Sequence, residues 1–289
     1  PDWEPPEALR EGLHTYADAT PGEFQYQASV GLPELREEIA ARRGVERSQV
    51  IITNGTGEAN HLAMTEGYRT MPGEEILLVD PVYPYYAGRA SMIGAEASYV
   101  PVDETGHLDP DTVAEYAGAE TSVIPNRIVT NAVSKSMAIT GWRVGYAVFP
   151  HPEGPNGQLM ERARTRHMLT NVTGSRPAQT AVLHALRNTG PEYYEATREL
   201  LTDRIAAVTA ALDDVGAEYT EPEGAFYVMA RFPEFPGTFE NVERMIDEAG
   251  VAGMPGEAFG ESRAEWIRFA LVPPRVETAA ERLEAFFRK

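Results

Sequence analysis

Short apolar runs alternate with helical patterns through the first half of the chain. The apolar runs predict strands at 50–53, 76–79, 97–100, 128–130 and 144–149. Leu35 and Ile39 share one face of a helix predicted over 34–43, and further helices are predicted over 58–67 and after Asp109. Strands that alternate with helices are typical of a mostly parallel sheet covered on both faces. The pattern therefore predicts a three-layer α/β sandwich.

The pattern changes after about residue 150. Long helical patterns come first, and two strand-like runs then alternate with helices, which indicates a smaller α+β unit. The helices are predicted over 156–168, 176–187, 192–215, 239–249 and 276–288, and the strands over 226–230 and 266–270. We expect an N-terminal arm (1–25), a large domain (26–195) and a small domain (196–289).

Composition narrows the class of protein. The net charge is −19 and the pI about 4.7, which disfavours nucleic acid and anionic membranes as partners. Cysteine is absent, so disulfides, thiolate metal sites and cysteine nucleophiles are excluded. No apolar run approaches the ~20 residues of a membrane span, and we expect a cytoplasmic protein. The spread of acidic residues and the scarcity of lysine indicate a salt-adapted surface.

Lysine use singles out one position. Of 25 basic residues only two are lysine: Lys289, which ends the chain, and Lys135. Arginine cannot replace lysine where an amine must lose its proton and condense with a carbonyl. Lys135 also lies among apolar residues, which argues against a solvated surface charge. The amine of Lys135 is therefore the first candidate for chemistry.

A second candidate is the glycine-rich turn Asn54-Gly55-Thr56-Gly57, between a predicted strand and a predicted helix. Backbone N–H groups at a helix start bind anions, and the Thr56 hydroxyl adds a donor. Glycines in such turns also serve steric needs alone, so both interpretations stay open. The turn matches neither the Walker P-loop nor the G-x-G-x-x-G pattern.

Three further side chains suit a phosphorylated aromatic ligand or a carboxylate. Arg143 follows Lys135 by eight positions and offers a fork for a phosphate. Tyr83, between two prolines, offers a flat face for stacking, although an isolated aromatic residue is more often part of a core. Arg268 lies within an apolar strand, where it needs a partner. That partner is either a substrate carboxylate or one of the chain's own 44 acidic residues.

These candidates lie within seven motifs that run from near the first residue to near the last. The motifs are Y-x-x-x-x-G-L-P-E-L-R (26–36), T-N-G-T-G-E-A (53–59), D-P-V-Y-P-Y-Y (80–86), S-K-S-M-A-I-T-G-W-R-V-G-Y (134–146), G-A-F-Y (224–227), P-G-E-A-F-G (255–260) and I-R-F-A (267–270). In this order they resemble the class I/II aminotransferases of fold type I, which depend on pyridoxal 5′-phosphate.

The resemblance implies a role for each matching residue. Lys135 would hold the cofactor as a Schiff base and then act as general base at the substrate's α-carbon. The phosphate would be bound by Gly55, Thr56, Gly57, Ser134 and Arg143. Tyr83 would stack on the pyridine ring, and Arg268 would clamp the α-carboxylate. Tyr26 would reach the phosphate of a neighbouring subunit, which implies a homodimer.

The chain departs from the family pattern in two places. Ala132 stands where the family usually has a hydroxyl residue that touches the phosphate. Between Asn126 and Arg127 the family expects some tens of residues, including an N-P-T-G run and a D-x-x-Y run. The aspartate of the second run keeps the pyridine nitrogen protonated.

Few folds would survive the loss of a central strand and helix. We therefore expect that the sequence as written omits residues at this junction, and the abrupt start at Pro1 fits the same expectation. A normal peptide bond of ~1.33 Å between Asn126 and Arg127 would instead indicate a true deletion.

Four functions follow in order of support. The first is transfer of an amino group between an amino acid and a 2-oxo acid, with aspartate or a broad range of amino acids as the donor. The second is another reaction of the same cofactor, such as decarboxylation or elimination. A catalytically dead protein on this fold is the third, and a true deletion would favour it. A nucleotide-binding enzyme is the fourth, but it leaves Lys135 without a role.

Overall fold

The computed structural model describes residues 2–103, 106–118, 121 and 128–288. The junction between Asn126 and Arg127, on which the choice between omission and deletion rests, lies outside these residues. No helix in the described part of the chain is long and apolar enough to cross a membrane.

The described residues form ten α-helices and nine strands. The helices are α1 (Glu7–Ala17), α2 (Pro33–Arg43), α3 (Gly55–Thr70), α4 (Tyr85–Ile93), α5 (Pro110–Tyr116), α6 (Gln158–Asn171), α7 (Arg176–Asn188), α8 (Pro191–Asp214), α9 (Phe239–Ala249) and α10 (Val276–Phe287). The strands are β1 (Val50–Asn54), β2 (Glu75–Asp80), β3 (Glu96–Pro101), β4 (Val129–Ala132), β5 (Val144–Val148), β6 (Glu218–Tyr219), β7 (Tyr227–Arg231), β8 (Met254–Pro255) and β9 (Ile267–Ala270).

The described strands pair in three sheets. The first has the order β1-β5-β4, and β5 runs antiparallel to both neighbours, with Thr53 opposite Gly145. The second is the parallel pair β2-β3, and the third has the order β6-β7-β9-β8 with antiparallel pairs. The predicted strands of the first half are thus confirmed. The direction of β5 differs from the mostly parallel sheet that alternation predicts.

Contacts between residues divide the chain into two compact units. Unit 1 comprises Trp3–Glu74 and Ser122–Tyr194, and unit 2 comprises Asp2, Glu75–Thr121 and Glu195–Lys289. The division into residues 1–25, 26–195 and 196–289 rests on the sequence pattern and stays a prediction.

Unit 1 packs helices α1, α2 and α7 against the sheet β1-β5-β4. Leu35, Ile52, Met137 and Val182 are fully buried in this core. Arg36 fastens α2 to β1, because its Nε donates to the Val50 carbonyl oxygen at 2.7 Å. Burial lowers the pKa of the Arg36 guanidinium to about 10, and the charge of Arg47 acts in the same direction.

Unit 2 encloses a second core between the sheet β6-β7-β9-β8 and the helices α8, α9 and α10. Leu212, Met245 and Ile267 are fully buried in it. The buried Arg204 on α8 pairs with both carboxylate oxygens of Asp2, at 2.7 and 2.9 Å. This hydrogen-bonded ion pair lowers the pKa of Asp2 below its usual value.

The predicted helices of both halves are confirmed, with shifted ends. Helix α3 begins at Gly55 and not at residue 58, so the glycine-rich turn is its first turn. Sequence reasoning missed α1, α4 and the short strands β6 and β8.

Truncating Leu35 tests the core of unit 1. Leu35 is 0% exposed, and Leu35→Ala should lower the free energy of unfolding by about 2–5 kcal/mol, because the lost methyl groups leave a cavity. Chemical denaturation measures the change. Leu169→Ala is the matched control, since Leu169 is 77% exposed, and it should change the free energy by less than ~0.5 kcal/mol. Equal losses in the two variants would contradict this assignment of the core.

Candidate active site

Lys135 lies on a turn that directly follows β4. The flanking side chains Val133 and Met137 are buried, whereas Lys135 itself is exposed. Three backbone hydrogen bonds close the turn. The Met137 N–H donates to the Val133 carbonyl oxygen and the Ile139 N–H to that of Ser134, both at 3.0 Å, and the Ala138 N–H donates to the Lys135 carbonyl oxygen at 3.1 Å. The amine therefore projects from an apolar base that fixes its backbone.

Ser134, the neighbour of Lys135, carries an unsatisfied polar atom. Its side chain is buried, and its Oγ has no hydrogen-bond partner among the described residues. A buried hydroxyl without a partner is costly, so this Oγ is suited to an acceptor that the chain does not itself supply.

The glycine-rich turn forms the start of α3. The backbone N–H groups of Thr56 and Gly57 stand in the first turn of a 16-residue helix, where no intrahelical carbonyl can accept from them. The positive end of the helix dipole lies at the same place. This arrangement supports the anion-binding interpretation over the purely steric one.

The lysine turn and this helix start interlock through glycine. A Cβ atom on Gly145 would lie 2.5 Å from the carbonyl carbon of Gly55 and 2.8 Å from the Thr56 nitrogen. A Cβ atom on Gly55 would overlap the guanidinium of Arg143. Only glycine permits this approach at either position, so the two motifs form one structural element.

Arg143 lies over the start of α3 without a carboxylate partner in the described part of the chain. Its Nη1 donates to the Thr140 carbonyl oxygen at 2.8 Å, and its Nη2 lies 3.4 Å from that of Asn54. The residue adopts the left-handed backbone region (φ 57°), which costs a non-glycine residue about 1–3 kcal/mol. The strained backbone places a positive fork where an anion would meet the helix.

A hydrogen-bond network that sequence reasoning missed holds the start of α3 in place. The carboxylate of Glu58 accepts from the Asn54 N–H at 2.6 Å and from Nδ2 of Asn171 at 2.5 Å. His167 is fully buried, with Nδ1 2.6 Å from Glu58 and Nε2 2.8 Å from the Ser29 carbonyl oxygen. A carbonyl only accepts, so Nε2 carries a proton. The spacing of His167 and Asn171 on one face of α6 was the available signal.

Arg268 lies on β9 in unit 2, held between two aromatic rings. Its Cζ is 4.2 Å from the centre of the Tyr227 ring and 4.4 Å from that of Phe259. Its Nε is buried without a hydrogen-bond partner, and no carboxylate in the described chain pairs with it. The alternative of a structural ion pair finds no support here. A guanidinium that packs against aromatic rings keeps its N–H donors in its own plane, where a carboxylate can accept from them.

The two candidate tyrosines are both exposed. Tyr83 precedes α4 in unit 2, is 56% exposed and lies 6.1 Å from Tyr85 between ring centres. Tyr26 lies on a loop in unit 1 and is 84% exposed. Neither residue has the burial of a core aromatic. The structure brings Lys135, Ser134, Arg143 and the turn 55–57 into one unit, and it places Tyr83 and Arg268 in the other.

Comparison with known proteins identifies a family. A sequence model of "Aminotransferase class I and II" matches residues 2–124 and 116–283. The aspartate aminotransferase of Pyrococcus horikoshii is 25% identical over 98% of this chain and 88% of its own. The LL-diaminopimelate aminotransferase of Aquifex aeolicus is 33% identical over 62% of this chain and 44% of its own.

Solved structures show the same fold. An aromatic aminotransferase from Pyrococcus horikoshii superposes with a TM-score of 0.88 at 23% identity, covering 100% of this chain and 94% of its own. An alanine aminotransferase from Pyrococcus furiosus gives the same TM-score at 25% identity, covering 99% and 89%. The predicted α/β class is thereby confirmed.

The comparisons also show that the relatives are longer than this chain. The family model matches in two parts, which overlap at residues 116–124 of this chain. The alignment with the Pyrococcus horikoshii aspartate aminotransferase runs over 358 residues, although this chain has 289. The relatives therefore carry residues that this sequence lacks, and the overlap lies next to the junction of 126 and 127.

The residues present fit the phosphate and aldehyde ends of pyridoxal 5′-phosphate. The orphaned Oγ of Ser134, the Arg143 fork and the N–H groups of the helix start supply donors for a phosphate. Lys135 supplies an amine on the adjoining turn. Ala132, at the end of β4, has no side-chain hydroxyl to offer the phosphate.

Replacing Gly145 tests the interlock. Gly145→Ala should weaken binding of pyridoxal 5′-phosphate by about tenfold or more, because its Cβ displaces the peptide between Gly55 and Thr56. Binding of pyridoxal, which lacks the phosphate, should change by less than about twofold. Fluorescence titration measures both constants.

Gly141→Ala is the matched control. Gly141 lies four positions before Gly145, in the short 3-10 helix Thr140–Trp142 that precedes β5, and a Cβ there meets nothing within 4 Å. Unchanged binding of pyridoxal 5′-phosphate by Gly145→Ala, or an equal loss of affinity in both variants, would contradict the interlock.

Proposed function

We propose the roles of individual residues on the premise that this chain belongs to the aminotransferase class I and II family. It is a transaminase that depends on pyridoxal 5′-phosphate and acts on amino acids and 2-oxo acids. The relatives described above are all named aminotransferases, and they give no support to a decarboxylase, a lyase or an inactive protein.

Lys135 is the residue that would hold the cofactor, through its side-chain amine. The same amine would remove the proton from the substrate's α-carbon and return it during transfer. When bound, the cofactor supplies the electron sink for this step. The observation that carries the proposal is the interlock of Gly145 with Gly55, which ties the lysine turn to an anion-binding helix start.

The phosphate would be held by donors from both motifs. The N–H groups of Thr56 and Gly57 and the dipole of α3 meet its charge at the helix start. Arg143 adds a charged fork and Ser134 a hydroxyl. The network of Glu58 and His167 fixes the turn from the protein side, since Glu58 holds the Asn54 N–H at 2.6 Å.

Tyr83 and Arg268 would bind the two other parts of the reacting complex. Tyr83 would stack its exposed ring on the pyridine ring of the cofactor. Arg268, which packs against the rings of Tyr227 and Phe259, would bind the α-carboxylate in the plane of its guanidinium, where its N–H donors lie. The substrate would be aspartate or a broad range of amino acids, because the relatives named above act on aspartate, aromatic residues and alanine.

The active unit would be a homodimer in the cytoplasm. Tyr26, 84% exposed on its loop, would reach the cofactor phosphate of a second copy of the chain. The exposed apolar side chains Phe24, Met168 and Leu169 of the same unit would suit such an interface. The excess of 44 acidic over 25 basic residues would adapt the surface to high salt.

Replacing Lys135 tests the central role. Lys135→Ala should lower turnover by about 10³-fold or more, because no other side chain supplies the amine and the base. Lys135→Arg should lose as much, since arginine keeps its proton. Steady-state transamination measures turnover, and thermal unfolding shows whether each variant is folded. The control is Lys289→Ala, which removes the chain's other lysine and should retain full turnover. Activity in folded Lys135→Ala would refute the assignment.

Salt dependence tests the proposed surface adaptation. The net charge is −19, so the excess acidic side chains repel one another, and dissolved ions screen this repulsion. The midpoint of thermal unfolding should therefore rise between about 0.05 M and molar potassium chloride, as the Debye length falls from over 10 Å to about 3 Å. Equal midpoints at both concentrations would contradict salt adaptation.

A further inference from the structure

We propose that Asp80 is a positioning residue for Arg268: it anchors the loop 256–263, and this loop sets the guanidinium that receives the substrate carboxylate. All of these residues belong to unit 2. The inference rests on the proposed role of Arg268 and adds to it the part of the chain that fixes its side chain.

Asp80 ends β2 as a buried carboxylate, only 9% exposed. Its Oδ2 accepts from the Ser262 N–H at 3.0 Å, and its Oδ1 accepts from the Ser262 hydroxyl at 3.1 Å. No basic side chain in the described part of the chain pairs with it. Burying a carboxylate that accepts only from neutral donors costs free energy. We therefore expect its two hydrogen bonds to hold the loop 256–263 in position.

The loop approaches Asp80 closely at one residue. A Cβ atom on Gly260 would overlap Oδ1 of Asp80, and Gly260 has a φ of 144°, which few other residues adopt. The approach is thus possible only with glycine. A further hydrogen bond runs beside it, because the Val82 N–H donates to the Phe259 carbonyl oxygen at 2.7 Å.

Phe259 links the hydrogen bonds at Asp80 to Arg268. Its side chain is buried, and its ring centre lies 4.4 Å from Cζ of Arg268, while the Tyr227 ring centre lies 4.2 Å from the same atom. The guanidinium lacks an ion pair in the described chain, so these rings are what hold it. The position of Arg268 depends on Phe259, and that of Phe259 depends on the hydrogen bonds at Asp80 and Val82.

The same anchor serves Tyr83, which follows Val82 on the turn after β2. The turn that presents the proposed stacking ring and the loop that presents the carboxylate clamp are therefore held together. We expect loss of the Asp80 hydrogen bonds to weaken carboxylate binding first. The Tyr83 turn continues into α4, whereas Phe259 is held besides by one short 3-10 turn, in which its N–H donates to the Gly256 carbonyl oxygen at 2.8 Å.

Two variants test the inference. Asp80→Asn exchanges one acceptor for a donor, and Ser262→Ala removes one hydrogen bond while leaving the buried carboxylate in place. In both, the KM for an amino acid and the Kd of maleate, a dicarboxylate that cannot react, should rise about tenfold, which corresponds to about 1.4 kcal/mol. Calorimetry measures maleate binding. The kcat and the affinity for pyridoxal 5′-phosphate should stay within about twofold.

Asp109→Asn is the matched control. Asp109 also accepts from one backbone N–H and one hydroxyl, both from Thr112 at 2.9 Å, but it does so at the start of α5, away from Arg268. Its variant should match the unaltered chain in KM, maleate binding and kcat. Arg268→Gln is the reference for complete loss of the clamp.

The outcomes separate this inference from the proposed function. Tight maleate binding in folded Ser262→Ala, together with loss in Arg268→Gln, would refute the role of Asp80 and leave the proposed function intact. Loss of kcat and cofactor affinity along with maleate binding would show a general structural defect and would also refute it. If Arg268→Gln bound maleate normally, or the unaltered chain transferred no amino group, the proposed function would fail and this inference with it.

Discussion

The packing of Gly145 against the peptide between Gly55 and Thr56 is the constraint on which the site depends. It places the turn that carries Lys135 beside a helix start with unsatisfied N–H groups. The antiparallel pairing of β1 with β5 sets this contact, since Thr53 lies opposite Gly145, α3 begins directly after β1, and the lysine turn comes before β5. An amine and an anion-binding helix start are thereby brought together by backbone geometry, before any side chain contributes.

Sequence reasoning predicted those features that a local pattern of residues determines. Apolar runs identified β1, β2 and β3, and the scarcity of lysine identified Lys135. The direction of β5 was not predictable from alternation alone: only a turn joins β4 to β5, and it leaves no room for the crossover that a parallel pair needs. The contact of Glu58 with His167 joins residues 109 positions apart, and single-sequence periodicity carries no information about such pairs.

Charge is used differently in the two units. Glu58 in unit 1 accepts hydrogen bonds from the Asn54 N–H and from Nδ2 of Asn171, and these fix the backbone at the start of α3. Arg268 in unit 2 is held by aromatic rings and lacks a carboxylate partner in the described chain. A positive group without a counter-ion suits a site that must accept a carboxylate, because an internal partner would compete with it.

The site of covalent attachment tests the account most directly. The chain is incubated with pyridoxal 5′-phosphate, reduced with borohydride, digested and mapped by mass spectrometry. The account predicts one adduct, on the peptide that contains Lys135. An adduct on Lys289 or on the terminal amine alone, or no adduct, would contradict it, since the interlocked turns would then not bind the cofactor.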